Sequence, residues 1–239
     1  MNEELRLHIK KLEKRAHLSL LATLLIIFSI ALGVIFVPSF VSVVFFAITI
    51  LLIAYLIRSS RSAKEEAKAN EYEPVKFILN RSFSFEDTIS IFENMTDKEN
   101  ILSTSENVRF FRCNKIFRLR AIIYHTDNFN KKDFDNAKSY INKKANKELN
   151  ITSSVGRNDA VKMMRFNIIC TDKLNDALYK YISQNANRNL TRVEGIINIA
   201  IVGNEVIIPP IYGECDLAEI GRYKGVIGFV NRFFLNYNN

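Results

Sequence analysis

The sequence predicts an α+β protein. An N-terminal two-helix transmembrane hairpin precedes a cytosolic mixed α/β domain with elements in the order α-β-β-α-β-α-β-β-α. Three observations carry this expectation. Forty consecutive residues, Leu18 to Ile57, contain no Asp, Glu, Lys or Arg. A proline, Pro38, stands near the middle of that run. From about Val75 the pattern changes to short apolar segments punctuated by Gly, Asn and Asp, as in a globular domain.

Residues 1–17 form a basic flank with Arg6, Lys10, Lys11, Lys14 and Arg15, and Leu5, Ile9, Leu12 and Ala16 recur at helical spacing. Two readings of the flank stay open. It is an interfacial helix on anionic lipid, or a plain extension of the first membrane helix into the cytosol. A helix crosses the ~30 Å hydrocarbon layer with about 20 residues, so forty suit two crossings and not one. Proline removes a helical hydrogen bond and pushes the residue before it toward extended geometry. The turn is therefore predicted at Pro38-Ser39, with helices over 18–37 and 40–57. The run is too long for a signal peptide core, and no small-residue cleavage site follows it.

Orientation follows from the basic residues. Arg58, Arg61, Lys64 and Lys68 follow the second helix and the basic flank precedes the first, while the connecting loop has no Lys or Arg. Both termini are expected on the cytoplasmic side of the cell membrane. The apolar run holds no ionisable group that would mark an ion path, so it reads as an anchor. Residues 58–74, closed by Pro74, read as a helical stalk, and 75–239 as the cytosolic domain.

Within that domain, Ser84 followed by Asp87 is a helix-start signature, with Ile89 and Phe92 facing inward. Strands are predicted at "VRFFRC" and "IFRLRAIIYH", joined by a tight turn at Asn114-Lys115. "NKKD" opens a long amphipathic helix that buries Phe134, Ile141 and Ala145 and exposes Lys138, Lys143 and Lys147. The strand "MMRFNIIC" and a helix with Leu174, Leu178 and Tyr181 follow. "GIINIAIV" is continuously apolar, as a strand buried on both faces is. Gly203-Asn204 makes a two-residue hairpin into "EVIIPP". A last helix opens at Asp216, with Glu219 three residues later, and runs to about Leu235.

Net charge is +8, all of it outside the apolar run. This modest excess suits anionic lipid headgroups or phosphate-bearing partners, and solubility explains it as well. It is too weak a signal for specific nucleic-acid binding. Cys113, Cys170 and Cys215 are odd in number and widely spaced, which argues for a reducing compartment and against a disulfide framework. Abundant Asn, Lys and Ile suit an AT-rich bacterial genome.

The most suggestive stretch is "VRFFRCNKIFRLR", where Arg109, Arg112, Lys115, Arg118 and Arg120 crowd one hairpin between phenylalanines. Alternation puts Arg118 and Arg120 on one strand face. Arginine clusters suit phosphate through bidentate geometry, and lipid headgroups of the adjacent leaflet are the nearest supply. The plainer alternative is a solvated face whose arginines pair with carboxylates of neighbouring elements. Gly221, Gly225 and Gly228 share one helix face, either for packing on the protein's own sheet or for a dimer contact. His8, His17 and His125 show no metal-ligand spacing, and "DNFNKKDFD" lacks the glycine and closing glutamate of a calcium loop. His125 and Asp127 have no nucleophile elbow to complete a triad.

The element order resembles the core shared by restriction-endonuclease-like folds. Those enzymes carry an acidic residue on one central strand and an acid-x-Lys on the next. "VRFFRC" and "IFRLRAI" hold no carboxylate, so the resemblance implies a catalytically inactive domain, and no residue is carried over. The expected function is a membrane-anchored interaction or ligand-binding domain without a cofactor, its partners being the bilayer and an anionic lipid or protein at the cytoplasmic face. Two other classes stay open. One is a membrane effector whose domain senses a nucleotide or protein signal and whose oligomerised hairpins perturb the bilayer. The other is an unrecognised hydrolase using scattered Asp and Glu.

Overall fold

The computed structural model describes residues 3–35, 40–69, 73–113, 119–149, 164–184, 196–210 and 217–235. The chain forms two compact units, Met1–Tyr72 with Tyr212–Gly221 and Glu73–Ile211 with Arg222–Asn239. Six α-helices and seven strands are present among the described residues, an α+β architecture.

The first unit contains α1 (Glu3–Ile35) and α2 (Phe40–Ala69), which pack on each other. With four residues between them, the two run antiparallel. Both are long and apolar enough to cross a membrane. Only 17% and 11% of their most apolar windows are buried, so their large apolar side chains face outward, as those of a soluble core helix do not. This hints at membrane association. Within the uncharged run the buried positions among the described residues are small: Ala22, Ser29 and Gly33 on α1, Ser42 and Thr49 on α2. A Cβ at Gly33 would lie 3.4 Å from the Phe46 ring, and the Thr49 hydroxyl donates back to the Phe45 carbonyl at 2.9 Å. Small residues let helices approach closely where water supplies no driving force. The helix runs unbroken through the basic flank, where Leu5, Ile9 and Leu12 are buried. Pro38 and Ser39 lie outside the described residues.

The second unit is built on one mixed sheet. Its elements are β1 (Val75–Ile78), α3 (Phe85–Asn94), β2 (Ile101–Ser105), β3 (Val108–Cys113), β4 (Leu119–His125), α4 (Lys131–Glu148), β5 (Met164–Thr171), α5 (Asp176–Gln184), β6 (Ile196–Val202), β7 (Glu205–Ile208) and α6 (Leu217–Val230), the last followed by a π-helical turn at Asn231–Leu235. The strand order is β1-β7-β6-β5-β4-β3-β2. β4, β5 and β6 run parallel at the centre and the outer pairings are antiparallel. The two crossovers step in the same direction, so right-handedness places α4 and α5 on one face. There Phe134, Leu178, Tyr181 and Ile182 pack on Ile169 and Ala200, and Ile141 and Ala145 on Phe110 and Ile122. The opposite face carries α3 and α6, with Phe92 against Phe111 and Phe229 against Phe166.

The order expected from sequence lacked β1 and β2, and these are the two edge strands. β1 buries one residue in four and β2 none fully, so neither shows the apolar run or clean alternation of an inner strand. The inner strands fall within two or three residues of expectation. β6 is buried along its middle, and Gly203, at φ +57°, turns the β6–β7 hairpin with Asn204. The expected β3–β4 turn at Asn114-Lys115 lies outside the described residues, as does Asp216.

The Ser84 signature is a full capping box. The Ser84 hydroxyl accepts from the Asp87 N–H at 3.0 Å, and the Asp87 carboxylate accepts from the Ser84 N–H at 3.0 Å. That backbone bond, more than the Arg81 guanidinium nearby, lowers the Asp87 pKa below 3.8. The carboxylate's contribution to stability is therefore complete above pH 3.8 and is lost as pH falls through the lower folded value. Ser84→Ala is expected to cost about 1 kcal/mol at neutral pH. Urea titrations should show that cost shrinking in acid as the reciprocal half of the box is protonated; a pH-independent cost would contradict the coupling.

Candidate functional site

Arg112 of β3 stands directly opposite Arg120 of β4, and Arg120 directly opposite Arg165 of β5. Paired residues in a sheet point to the same face, so three guanidinium side chains lie side by side across three strands. Two residues along each strand, Phe110, Ile122 and Asn167 share this face, and the first two pack under α4. The arginine row thus sits on the α4/α5 side, at the end of the sheet where β3 finishes and β4 and β5 begin. All three arginines are half-buried.

Like charges directly opposite each other destabilise a sheet. A counter-charge would relieve the repulsion, yet the ion pairs among the described residues, Lys76–Glu205, Arg81–Asp87, Lys131–Asp135 and Lys144–Glu148, involve none of the three. The Nε atoms of Arg112 and Arg120 are buried without a hydrogen-bond partner among the described residues. Burial first, then the charges of Arg165 and Arg112, lowers the Arg120 pKa to about 10. The group stays cationic at neutral pH.

Next inward on the same face comes a second polar pair. Asn167 and Asn198 are opposite each other on β5 and β6, and the Asn167 amide donates to Asn198 Oδ1 at 2.7 Å. The Tyr181 hydroxyl of α5 donates to the same oxygen at 3.2 Å. These side chains are 2–7% exposed. The network locks α5 to the sheet and closes the strip, so the accessible chemistry ends at the arginines. Burial, then the charge of Asp135, raises the Tyr181 pKa and keeps it a neutral donor.

The five residues singled out in the sequence separate. Arg112 and Arg120 belong to the row. Arg109 lies on the opposite face, where its Nη1 donates to Ser103 Oγ at 2.8 Å and to the Ser105 carbonyl at 2.6 Å, stapling the β2–β3 turn. Lys115 and Arg118 lie outside the described residues. Arg165 was missed. Its signal was faint: a lone arginine at the second position of a strand, as Arg120 is, means nothing until parallel register sets the two side by side.

On α6, a Cβ at Gly225 would meet Met164 Sδ at 3.4 Å, whereas Gly221 and Gly228 are exposed and have open space. His125 stacks on Phe85, with ring centroids 5.4 Å apart. Cys113 and Cys170 are buried beside Thr96 and Thr88, and burial raises both pKa values, that of Cys170 to about 12, so both remain thiols. Cys215 lies outside the described residues. No group of three or more His, Cys, Asp or Glu that could hold a metal ion occurs among the described residues.

The site is a half-buried strip of three guanidiniums with no carboxylate paired to it among the described residues. Comparisons with protein-family models, curated proteins and solved structures return no match.

Proposed function

We propose that the chain is a two-pass membrane-anchored binding protein whose sheet domain, on the cytoplasmic side, takes an anionic ligand at Arg112, Arg120 and Arg165. The observation that carries this reading is the in-register row of three half-buried guanidiniums with no carboxylate against it among the described residues. Arginine forks bind carboxylate and phosphate oxygens bidentately, and such charge-assisted bonds strengthen where water is partly excluded. The apolar helices and their basic flanks support the anchor and its orientation.

The test uses the full chain in nanodiscs of neutral lipid. Millimolar inorganic phosphate is expected to raise the denaturation midpoint, since a ligand at hundredfold excess over its Kd stabilises by about 2.7 kcal/mol. The double variant Arg120→Glu/Arg165→Glu should lose that response; an equal rise in both proteins would sink the reading. A reporter fused after Asn239 should be active only inside the cell, and activity outside would refute the orientation.

A further inference from the structure

We infer that the ligand of the arginine row carries two or more linked phosphoryl groups, as a diphosphate or triphosphate does. This rests on the anion-binding reading and narrows it. Adjacent strands lie about 4.8 Å apart, so three side-by-side guanidiniums span about 10 Å, wider than one tetrahedral oxyanion. The charge count points the same way. A phosphate monoester brings at most about two negative charges at neutral pH and a carboxylate one, leaving at least one of three cations unanswered. An unanswered cation is costly here, because the row is half-buried, Arg112 and Arg120 each hold a buried Nε without a partner among the described residues, and the next residues inward are Phe110, Ile122 and Asn167, whose amide donates to Asn198. A linear chain of phosphoryl groups laid across the strands presents oxygens to each fork in turn. The closed Asn167–Asn198–Tyr181 network bounds the site on its inner side, so the ligand lies along the row and not deeper.

The experiment titrates inorganic phosphate, pyrophosphate and tripolyphosphate into the full chain in neutral-lipid nanodiscs, by calorimetry at constant ionic strength. Tripolyphosphate is expected to bind at least tenfold more tightly than phosphate, a difference of about 1.4 kcal/mol. Arg120→Gln and Arg165→Gln should each lose tenfold or more, Arg120→Lys less, since charge remains without the fork. Arg109→Gln, on the other face, should leave the affinity unchanged. Denaturation midpoints of each variant separate lost binding from lost folding. A second arm repeats the titration in discs containing a lipid with a pyrophosphate headgroup. Competition that disappears in Arg120→Gln identifies the phosphates as headgroups of the leaflet, and its absence identifies a soluble ligand; the linked-phosphate assignment stands in either case. Phosphate binding as tightly as tripolyphosphate overturns the assignment and leaves the anion reading intact. Failure of all three anions to bind overturns both.

Discussion

Phe229→Ala is expected to destabilise the sheet unit by about 3–5 kcal/mol, the range for deleting a fully buried aromatic ring. Phe229 is 2% exposed, stacks on Phe166 with centroids 4.8 Å apart, and lies 5.8 Å from Phe92 of α3. Phe234, in the π-helical turn, meets its edge at 6.0 Å. One side chain therefore ties α6 and its π-helical extension to β5 and to α3. A cavity there cannot be filled by a single rotamer change, because Phe92 and Phe166 are themselves fully buried and held by other neighbours. A domain of this size holds about 5–15 kcal/mol in all, so the variant should sit near its unfolding threshold. Urea titration followed by near-ultraviolet circular dichroism measures the loss. A change below about 1 kcal/mol, the usual cost of a peripheral truncation, would mean that α6 does not pack as described.

Arg120→Met is expected to act in the opposite direction, raising stability by about 1–3 kcal/mol while weakening ligand binding. Arg120 has a folded pKa of about 10 against 12.5 ordinarily. Its folded value is depressed, so holding the cation in place costs stability at every pH below about 10, and the cost fades only as pH rises from there toward 12.5. Half-exposure leaves part of the charge to solvent, which puts the gain below the full value of the shift. Methionine keeps much of the stem's volume and removes both the burial of charge and the repulsion from Arg112 and Arg165. Urea midpoints at neutral pH, with and without pyrophosphate, read both effects: the variant should be the more stable protein without the anion and respond less to it. A less stable variant would count against an uncompensated charge at Arg120 and would remove the physical basis of the proposed anion site. Giving up stability at a cluster that binds a ligand is a familiar trade between stability and function.

Much of the fold was legible because its signals are local. Forty residues without charge and one proline specify two apolar helices, since the period and length of a helix are set by neighbours a few residues apart. Ser84 and Asp87 specify a helix start through bonds three residues apart. Phe134, Ile141 and Ala145 face inward because helical spacing puts them on one side. "GIINIAIV" reads as an inner strand from composition alone. The edge strands escaped because their signal is halved: a strand with one free edge and one wet face needs few apolar residues, and "ILSTS" has two. The site was half legible. Arg112 and Arg120 stood out by crowding, but so did Arg109, which the fold spends on a turn. Which arginines meet depends on strand register, and the partner that completes the row, Arg165, is 45 positions beyond Arg120. Register across parallel strands joined through α4 and α5 is a long-range property of the packed sheet, so the three arginines meet only when the sheet closes.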